Sequence, residues 1–385
     1  MDLSFSEEQE MLRDLTRRLC EDFVPLPVLR TLEGTEPGYS ADFWRALVDA
    51  GLPGLVIDPA FDGLGLGATE AMIVHEEFGR TLALSPHFIS SLLAASLIGA
   101  AGDEAQRSRW LPAIANGTAI VSVASLEPGC GFALEDIQCR ALRGAQGYRL
   151  SGTKHLVPYA SSAQAAVVLA RTGPAPADVI ALIVDLASPG VSLRYQPNHA
   201  SEARFHIDFV DVLLAPENVL NGGESIAQAW HEAMYAALIP IAAQAVGAAA
   251  RAHVIAVEYA KVREAFGKPI GAFQAIAHSL ADVAVEVAGC RMLVRQAAWA
   301  KDSGHAFHRL AAIAKLQACE MFRRAAAVTI QVHGGMGFTT DADPQLFFRR
   351  AKQLQLLDWD TDFLEERIVE MCMQETPDPG AVAHV

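Results

Sequence analysis

The sequence VREAFGKPIGAFQAIAH, residues 262–278, narrows the architecture of this chain more than any other stretch. A helical pattern stops near Phe266, a tight turn follows, and Gln274 lies just inside the next helix. Arg263 stands at this junction, and arginine is a natural partner of a diphosphate because its guanidinium donates charge-assisted, often bidentate hydrogen bonds. Taken alone, a surface arginine near a helix end is the simpler interpretation.

Long alanine-rich helical patterns lie on both sides of this junction. They include AAQAVGAAARAHVIAVEYAKV before it and RLAAIAKLQACEMFRRAAAVTIQVHGG after it. Small side chains let helices approach closely, so this part of the chain predicts a bundle of several helices. The second pattern ends in Gly334 and Gly335, which either cap the helix or let the backbone approach an anionic ligand.

The middle of the chain changes to a β pattern. From about residue 119, apolar runs such as AQAAVVLART and DVIALIVDL alternate with turn signals, and helical patterns return after PENVLNGG. The order α, then β, then α fits neither a parallel β-α-β fold nor a repeat protein. We expect an α+β protein with a helical N-terminal domain at residues 1–117, an antiparallel β domain at 118–222 and a helical bundle domain at 223–385.

Composition excludes several classes of function. The 385 residues carry a net charge of -15 and no Lys/Arg-rich run, which argues against nucleic acid and anionic membrane surfaces as partners. The charge-free apolar run at residues 236–250 is about 15 residues long, shorter than the roughly 20 that a helix needs to cross a bilayer. The first residues lack a signal-peptide pattern, so we expect a cytoplasmic protein. The six cysteines lie far apart, which indicates neither a disulfide framework nor a metal site.

Two carboxylates flank a tryptophan near the C-terminus. In LQLLDWDTDFLEERI, residues 354–368, Asp358 and Asp360 interrupt an aliphatic helical face on either side of Trp359. A helix end that frays into solvent is one interpretation, because most acidic residues lie on wet surfaces. The other is a general base held in an apolar pocket. These residues alone leave both interpretations open.

Several motifs occur together in a fixed order. They are FSEEQEMLRD at 5–14, EPGCG at 127–131, YRLSGTK at 148–154, YAKVREAFGKPIGAFQAIAHSLAD at 259–282 and QVHGGMGFT at 331–339. With these motifs the chain resembles the acyl-CoA dehydrogenase family of flavoenzymes over essentially its whole length. The resemblance implies a helical N-terminal domain, a β-barrel-like middle domain and a C-terminal four-helix bundle that drives dimer or tetramer assembly. It also implies FAD bound between the β domain and the bundle, an acyl-CoA substrate and an electron-transfer flavoprotein as electron acceptor.

The resemblance assigns roles to residues at the matching positions. Six residues from two motifs would hold FAD across a subunit interface: Arg263, Phe266, Gln274, Gln331, Gly334 and Gly335. Polar side chains beside glycines at a helix junction suit this role, since an anionic cofactor needs donors and close backbone approach.

The family reaction also implies a carboxylate base. The base removes the α-proton of the acyl-CoA thioester while the β-hydrogen leaves as hydride to flavin N5, which gives a trans-2-enoyl-CoA. Counting without gaps from Ala351-Lys352, the usual glutamate position is Asp358 and the following glycine position is Trp359. Asp358 is therefore the implied base, and Asp360 is the second choice. Aspartate is one methylene shorter than glutamate, and a displacement of about 1 Å can cost roughly 100-fold in rate.

The flavin-facing positions of the β domain depart from the family pattern. Leu126 replaces a threonine, Phe132 replaces a serine, and Leu156-Val157-Pro158 replace a Trp-Ile-Thr run. Each change removes a side-chain donor or an aromatic wall. The implied contacts at Leu126, Leu156 and Val157 then rest on backbone groups, which could still bind the flavin ring everywhere except at Pro158.

The chain's own half of the flavin site thus departs from the family pattern, whereas the six interface positions match it. This asymmetry resembles a heterotetrameric arrangement within the family, found in bacterial degradation of steroid side chains, in which two different subunits share fewer flavins than there are subunits. A homo-oligomer with complete sites is the alternative arrangement. A catalytically incomplete partner subunit is an alternative function, and the aspartate base leaves a third, an oxidase of the nitroalkane type.

Overall fold

The computed structural model describes residues 3–175 and 178–374, which form a helical N-terminal part, a β-sheet and a helical C-terminal part. The helices are α1 Glu7–Phe23, α2 Leu26–Leu32, α3 Ala41–Asp49, α4 Ala68–Thr81, α5 Ala95–Ala101, α6 Glu104–Ala115, α7 Ile226–Val262, α8 Gln274–Asp302, α9 His308–His333, α10 Pro344–Leu356 and α11 Thr361–Gln374. The strands are β1 Val121–Ala124, β2 Arg140–Gly144, β3 Gly147–Pro158, β4 Ala165–Arg171, β5 Val179–Asp185, β6 Val191–Gln196, β7 Arg204–Leu214, β8 Glu264–Ala265 and β9 Lys268–Pro269.

A capping interaction at Ser6 begins helix α1. The Ser6 hydroxyl accepts from the Gln9 N–H at 3.2 Å, and the Ser6 N–H donates to the Gln9 side chain at 3.0 Å, as expected for a capping box. Helix α1 then packs on α4. Between α4 and α5, residues His87–Ala94 form a π-helical turn, a rare geometry that often marks functional sites.

Seven strands form one sheet in the order β1-β4-β2-β3-β7-β6, with β5 paired to β4. Most neighbours are antiparallel, whereas β1 and β2 each run parallel to β4. The register of β3 against β7 shifts between Lys154 and Val157. Within this irregular stretch Leu156 has a φ of 53°, in the left-handed region that residues other than glycine seldom adopt.

Two motif residues form a buried ion pair in the β domain. The Lys154 Nζ atom lies 2.6 Å from the Glu127 carboxylate and 3.1 Å from the Ser125 carbonyl oxygen. The Glu127 carboxylate also accepts from the backbone N–H groups of Gln138 and Cys139. The pair therefore fastens the loop between β1 and β2 to β3, which gives both residues a structural role.

Helix α7 is the central helix of the C-terminal bundle. It packs mainly on α9 and on α4 of the N-terminal part. A Cβ atom at Gly247 would lie 1.9 Å from the Glu76 carbonyl oxygen, so only glycine allows α7 and α4 to approach this closely. By length and composition α7 could cross a bilayer, but 78% of its most apolar 18-residue window is buried inside the protein. Such burial is typical of the core helix of a folded globule.

The predicted fold class is confirmed: a helical N-terminal part, a largely antiparallel sheet and a C-terminal helical bundle follow one another along the chain. The exact domain limits at residues 117 and 222 stay predictions.

Candidate active site

A cleft lies where the β domain, the π-helical turn, α7 and the turn between α10 and α11 meet. Each element contributes side chains, among them Phe88, Leu126, Leu156, Arg204, Met234 and Asp358. The space in the cleft that water can occupy is about 40 Å³. That space holds about three water molecules.

Asp358 lines the cleft from an unusual turn. Asp358 and Trp359 have φ angles of 53° and 69°, both in the left-handed region. Two such residues in succession are rare without glycine, and the surrounding contacts must offset the strain. The family pattern has glycine at the position of Trp359, so the chain keeps a glycine-like turn while carrying a tryptophan there.

Lys315 of α9 holds this turn in place. Its ammonium group donates to the carbonyl oxygens of Trp359 at 2.6 Å, Leu357 at 3.2 Å and Gln355 at 3.4 Å. Lys315 is 1% exposed. A helix leaves its last carbonyl groups without partners, and Lys315 supplies donors for those at the end of α10. It therefore fixes the path of the backbone on both sides of Asp358.

The Asp358 carboxyl is enclosed by protein atoms, although part of its surface stays open to the cleft. Burial raises its pKa; Arg204 opposes this rise, Glu202 adds to it and Lys315 opposes it. Among the described residues, the carboxylate has no hydrogen bond or ion pair. A carboxylate with a raised pKa and no partner is suited to accept a proton.

Asp360, the second candidate base, has a different position. Its Oδ1 atom accepts from the Phe363 N–H at 3.0 Å, so it caps the start of α11. It does not line the cleft. Of the two acids, only Asp358 faces the space where a substrate could lie.

An ion pair beside Asp358 was missed by the sequence interpretation. The Arg204 Nε and Nη2 atoms lie 2.8 and 2.5 Å from the Glu202 carboxylate, and Arg204 Nη1 donates to the Leu156 carbonyl at 2.9 Å. Arg204 is only 8% exposed. In the sequence, Glu202 and Arg204 stand at the start of a β pattern. Charged residues at that position are typical of an exposed strand end, so they did not indicate a buried ion pair.

The flavin-facing backbone is already hydrogen-bonded. The His155 N–H donates to the Leu126 carbonyl at 3.0 Å, and the Leu156 N–H donates to the Gln196 side chain at 2.8 Å. Of the backbone N–H groups expected to meet the flavin ring, that of Leu156 therefore already has a partner inside the chain.

Of the three β-domain residues expected to contact the flavin, two line the cleft and one does not. Leu126 and Leu156 line the cleft, as expected for residues that face it. Val157 does not: it is 1% exposed and pairs with Phe205 of β7 inside the sheet. The Val157 side chain therefore lies in the core of the β domain and away from the cleft, and the expected backbone contact at Val157 stays a prediction.

Aromatic side chains bridge the β domain and the bundle at the cleft. Ring centroids are 5.8 Å apart for Phe132 and Phe363, 5.1 Å for Phe363 and Trp359, and 4.9 Å for Trp359 and Tyr235. We call these four rings the aromatic row. It begins at Phe132, where the family pattern has serine, so a substitution visible in the sequence narrows the cleft.

The residues expected at a subunit interface form an exposed group where the ends of α7 and α9 meet the start of α8. This bundle-end group comprises Arg263, Phe266, Gln274, Gln331, Gly334 and Gly335, all of them exposed. Phe266 is 96% exposed. Among the described atoms, none lies within 4 Å of a Cβ added at Gly334 or Gly335. None of the six lines the cleft, so the structure groups them together and apart from Asp358.

The three-part fold and the carboxylate-bearing cleft between sheet and bundle define a class of oxidoreductases that act on CH–CH bonds of acyl thioesters. Residues 6–118 match the family model described as "Acyl-CoA dehydrogenase, N-terminal domain", and residues 229–371 match "Acyl-CoA dehydrogenase, C-terminal domain". The chain belongs to the acyl-CoA dehydrogenase family. Members of this family are FAD flavoproteins, and dehydrogenation of a CoA thioester is their reaction type.

Individual proteins support this assignment. The chain is 31% identical to acryloyl-CoA reductase (NADH) of Anaerotignum propionicum over 91% of both chains. It is 30% identical to the caffeyl-CoA reductase-Etf complex subunit CarC of Acetobacterium woodii, over 90% of this chain and 93% of the relative. Among solved structures, the ChsE4-ChsE5 complex of Mycobacterium tuberculosis superposes with a TM-score of 0.87 and 28% identity, over 98% of this chain and 100% of the matched chain.

The two halves of the expected FAD site differ in their fit to the cofactor. The bundle-end group fits, because it offers exposed donors and unobstructed glycine backbone. The chain's own cleft does not fit the three-ring flavin, because it admits only a few waters and the N–H groups of His155 and Leu156 are paired within the chain. The closure results from this chain's own substitutions, since Leu126, Phe132 and Leu156 form the walls.

Proposed function

We propose that this chain is a subunit of a heteromeric, FAD-dependent acyl-CoA dehydrogenase and that its bundle-end group helps to hold a flavin in the cleft of a related partner subunit. One observation carries the proposal: the bundle-end group is exposed and unobstructed while the chain's own cleft is closed. A homo-oligomer would have to place every flavin ring in such a closed cleft. The similarity to a complex of two differently named subunits supports a heteromer.

The residues of this chain would act on the cofactor by binding it. Arg263, Gln274 and Gln331 present donors suited to phosphate and other anionic groups. Gly334 has a φ of 61° and no side chain, so its backbone can approach a ligand closely. When bound, FAD supplies the hydride acceptor for the reaction. The chain's contribution is therefore affinity for the cofactor and its orientation.

Flavin content tests this proposal. The chain purified alone should be colourless, whereas the complex isolated with its natural partner should be yellow and hold fewer flavins than chains. In that complex, Arg263→Ala should weaken FAD binding about 10- to 100-fold, because it removes a charge-assisted hydrogen bond. The measurement is FAD released on dilution, followed by flavin fluorescence.

Arg45→Ala is the matched control, because Arg45 is an exposed arginine of α3 paired only with its helix neighbour Asp42. It should leave FAD affinity unchanged. Equal flavin retention in the Arg263→Ala complex and the control complex would contradict the role of the bundle-end group.

A second candidate function is catalysis by this chain itself, with Asp358 as the α-proton base. It is favoured by the unpartnered carboxylate and its raised pKa. It requires the aromatic row and Leu156 to move aside for the flavin ring. Asp358→Asn separates the candidates: it should abolish dehydrogenation of an acyl-CoA substrate without loss of FAD if this chain is catalytic. Near-full activity of the complex eliminates Asp358 as the base and agrees with the first candidate.

The remaining partners follow from the family reaction. We propose an electron-transfer flavoprotein as electron acceptor, supported by the relative that is named as part of a reductase-Etf complex. An acyl-CoA is the proposed substrate, and the cytoplasm stays the proposed location. No observation on the described residues favours an oxidase of the nitroalkane type.

A further inference from the structure

A second cavity adjoins the cleft, and we call it the inner cavity. Asp358, Arg204 and Tyr159 line both spaces, so the inner cavity begins where the cleft ends. Its other walls come from α4, α7 and α10. The space that water can occupy is again about 40 Å³. A cavity between helices of an alanine-rich bundle is expected to be apolar, but in this one charged and polar side chains lie among the apolar ones.

Arg350 lines this cavity with too few hydrogen-bond acceptors for its guanidinium group. It is 6% exposed, and burial lowers its pKa. Its Nη2 atom donates to the Ala200 carbonyl at 3.1 Å, and its buried Nε has no hydrogen-bond partner. Among the described residues it forms no ion pair. A buried guanidinium without a carboxylate is costly, because desolvation of the charge is not offset.

The nearest carboxylate is committed elsewhere. Glu202 accepts from Arg204 Nε at 2.8 Å and Nη2 at 2.5 Å, and from Gln353 Nε2 at 2.6 Å. The Glu202–Arg204 pair is thus neutral by itself. Asp358, the other acid of the cavity, has no ion pair with either arginine. Among the described residues, Arg350 is therefore the arginine of the cavity that lacks a bonded carboxylate, whereas Arg204 has Glu202.

A hydrogen-bonded chain of neutral side chains fixes another wall. His87 Nε2 lies 3.0 Å from the Leu52 carbonyl oxygen and must donate to it, so His87 Nδ1 accepts from His75 Nε2 at 3.1 Å. His75 Nδ1 then accepts from Gln244 Nε2 at 2.7 Å. Both histidines are neutral, because burial lowers their pKa values. They supply no second positive charge, and Arg350 is left as the cation that needs a ligand.

We propose that the inner cavity is a carboxylate-binding subsite in which Arg350 pairs with the anionic group. The available space fits a group the size of a carboxylate and excludes a long aliphatic tail. The carboxylate has two chemical sources: the far end of a short dicarboxylic acyl-CoA that passes Asp358 in the cleft, or a small free carboxylate. The subsite belongs to this chain's own residues and does not depend on where the flavin is held.

Binding of matched thioesters tests the subsite. Isothermal titration of the full-length protein, as isolated with any partner subunit, compares adipyl-CoA, hexanoyl-CoA and free adipate. Adipyl-CoA should bind about 10- to 100-fold more tightly than hexanoyl-CoA, because it adds one ion-paired, hydrogen-bonded carboxylate. Tight binding of adipate alone would identify a free carboxylate as the ligand. Equal affinity for both thioesters, together with no binding of adipate, would overturn the proposal.

Two arginine variants assign the effect to one residue. Arg350→Gln should remove the preference for the carboxylate, whereas Arg349→Gln should retain it. Arg349 is the matched control because it precedes Arg350 on α10 but pairs with Glu33 at 2.5 Å and does not line the inner cavity. A preference that survives Arg350→Gln would also overturn the proposal. If that variant does not fold, the comparison of the two thioesters on the unaltered protein still decides.

Discussion

At the scale of single residues, the location of Asp358 in the cleft could be predicted from the sequence, but its surroundings could not. Gap-free counting placed this acid at the family's base position, and the structure places it in the cleft, whereas Asp360 caps a helix. The residues that surround it could not be predicted. Lys315 and Arg204 are distant in the chain, and contacts between distant positions leave no periodic signal in the sequence.

Lys315 is predicted to stabilise the fold through the Asp358 turn. Lys315→Met should lower the free energy of unfolding by about 3 kcal/mol, because several buried carbonyl groups lose a charged donor. Urea denaturation followed by tryptophan fluorescence measures the loss.

Lys352→Met is the control for this substitution. Lys352 is exposed on α10 and donates only to the half-buried side chain of Gln355, so the change should stay within about 0.5 kcal/mol. Equal losses for the two lysine variants would contradict a special role for Lys315.

At the scale of secondary-structure elements, the sequence predicts that strand β3 exists but not how it is paired. Its alternating pattern predicted a strand, and the strand is present at Gly147–Pro158. The register shift near Leu156 and the hydrogen bonds that occupy its N–H and carbonyl groups depend on β7 and on Gln196, so the pattern of β3 alone could not reveal them. The π-helical turn and the parallel pairing of β1 with β4 were missed for the same reason.

The Glu127–Lys154 ion pair should behave as one buried unit. Lys154→Met alone should cost about 3–5 kcal/mol, because it leaves a buried carboxylate without its cation. Adding Glu127→Gln should recover part of that loss. A double-mutant cycle by urea denaturation measures the coupling.

An exposed ion pair that also involves strand β3 provides the control cycle. Arg149 of β3 and Asp211 of β7 are 52% and 61% exposed, so their coupling should be at most about 1 kcal/mol. A coupling for the buried pair that is no larger than for this exposed pair would refute a structural role of the motif.

The buried histidines should make stability depend on pH. Burial lowers the pKa of His87 to about 4, whereas an unfolded histidine titrates near the ordinary value of about 6.5. Between these values the unfolded chain binds more protons than the folded chain, so the free energy of unfolding should fall as the pH falls from about 6.5 towards 4. His87→Gln should reduce this slope.

The measurement is urea denaturation across that pH range, with His278→Gln on the exposed face of α8 as control. The control variant should keep the slope of the unaltered protein. If His87→Gln leaves the slope unchanged as well, the buried histidine does not titrate as the structure indicates.

At the scale of the whole molecule, the two halves of a flavin site occupy different parts of one chain. The order of helical, β and helical parts was predictable, because each part has its own periodicity and the motifs fix their sequence. The exposed character of the bundle-end group followed from the resemblance. The closure of the cleft did not, because it depends on how Phe132 of the β1–β2 loop, Leu156 of β3 and Trp359 of the turn between α10 and α11 meet in space.

The function proposed for this chain requires that its own cleft does not accept the flavin ring. Equilibrium titration of the purified single chain with FAD, followed by flavin fluorescence, tests it most directly. We expect no saturable binding, since the cleft admits only a few waters and the N–H groups of His155 and Leu156 are paired within the chain. Tight, saturable binding of one FAD by each isolated chain would contradict it.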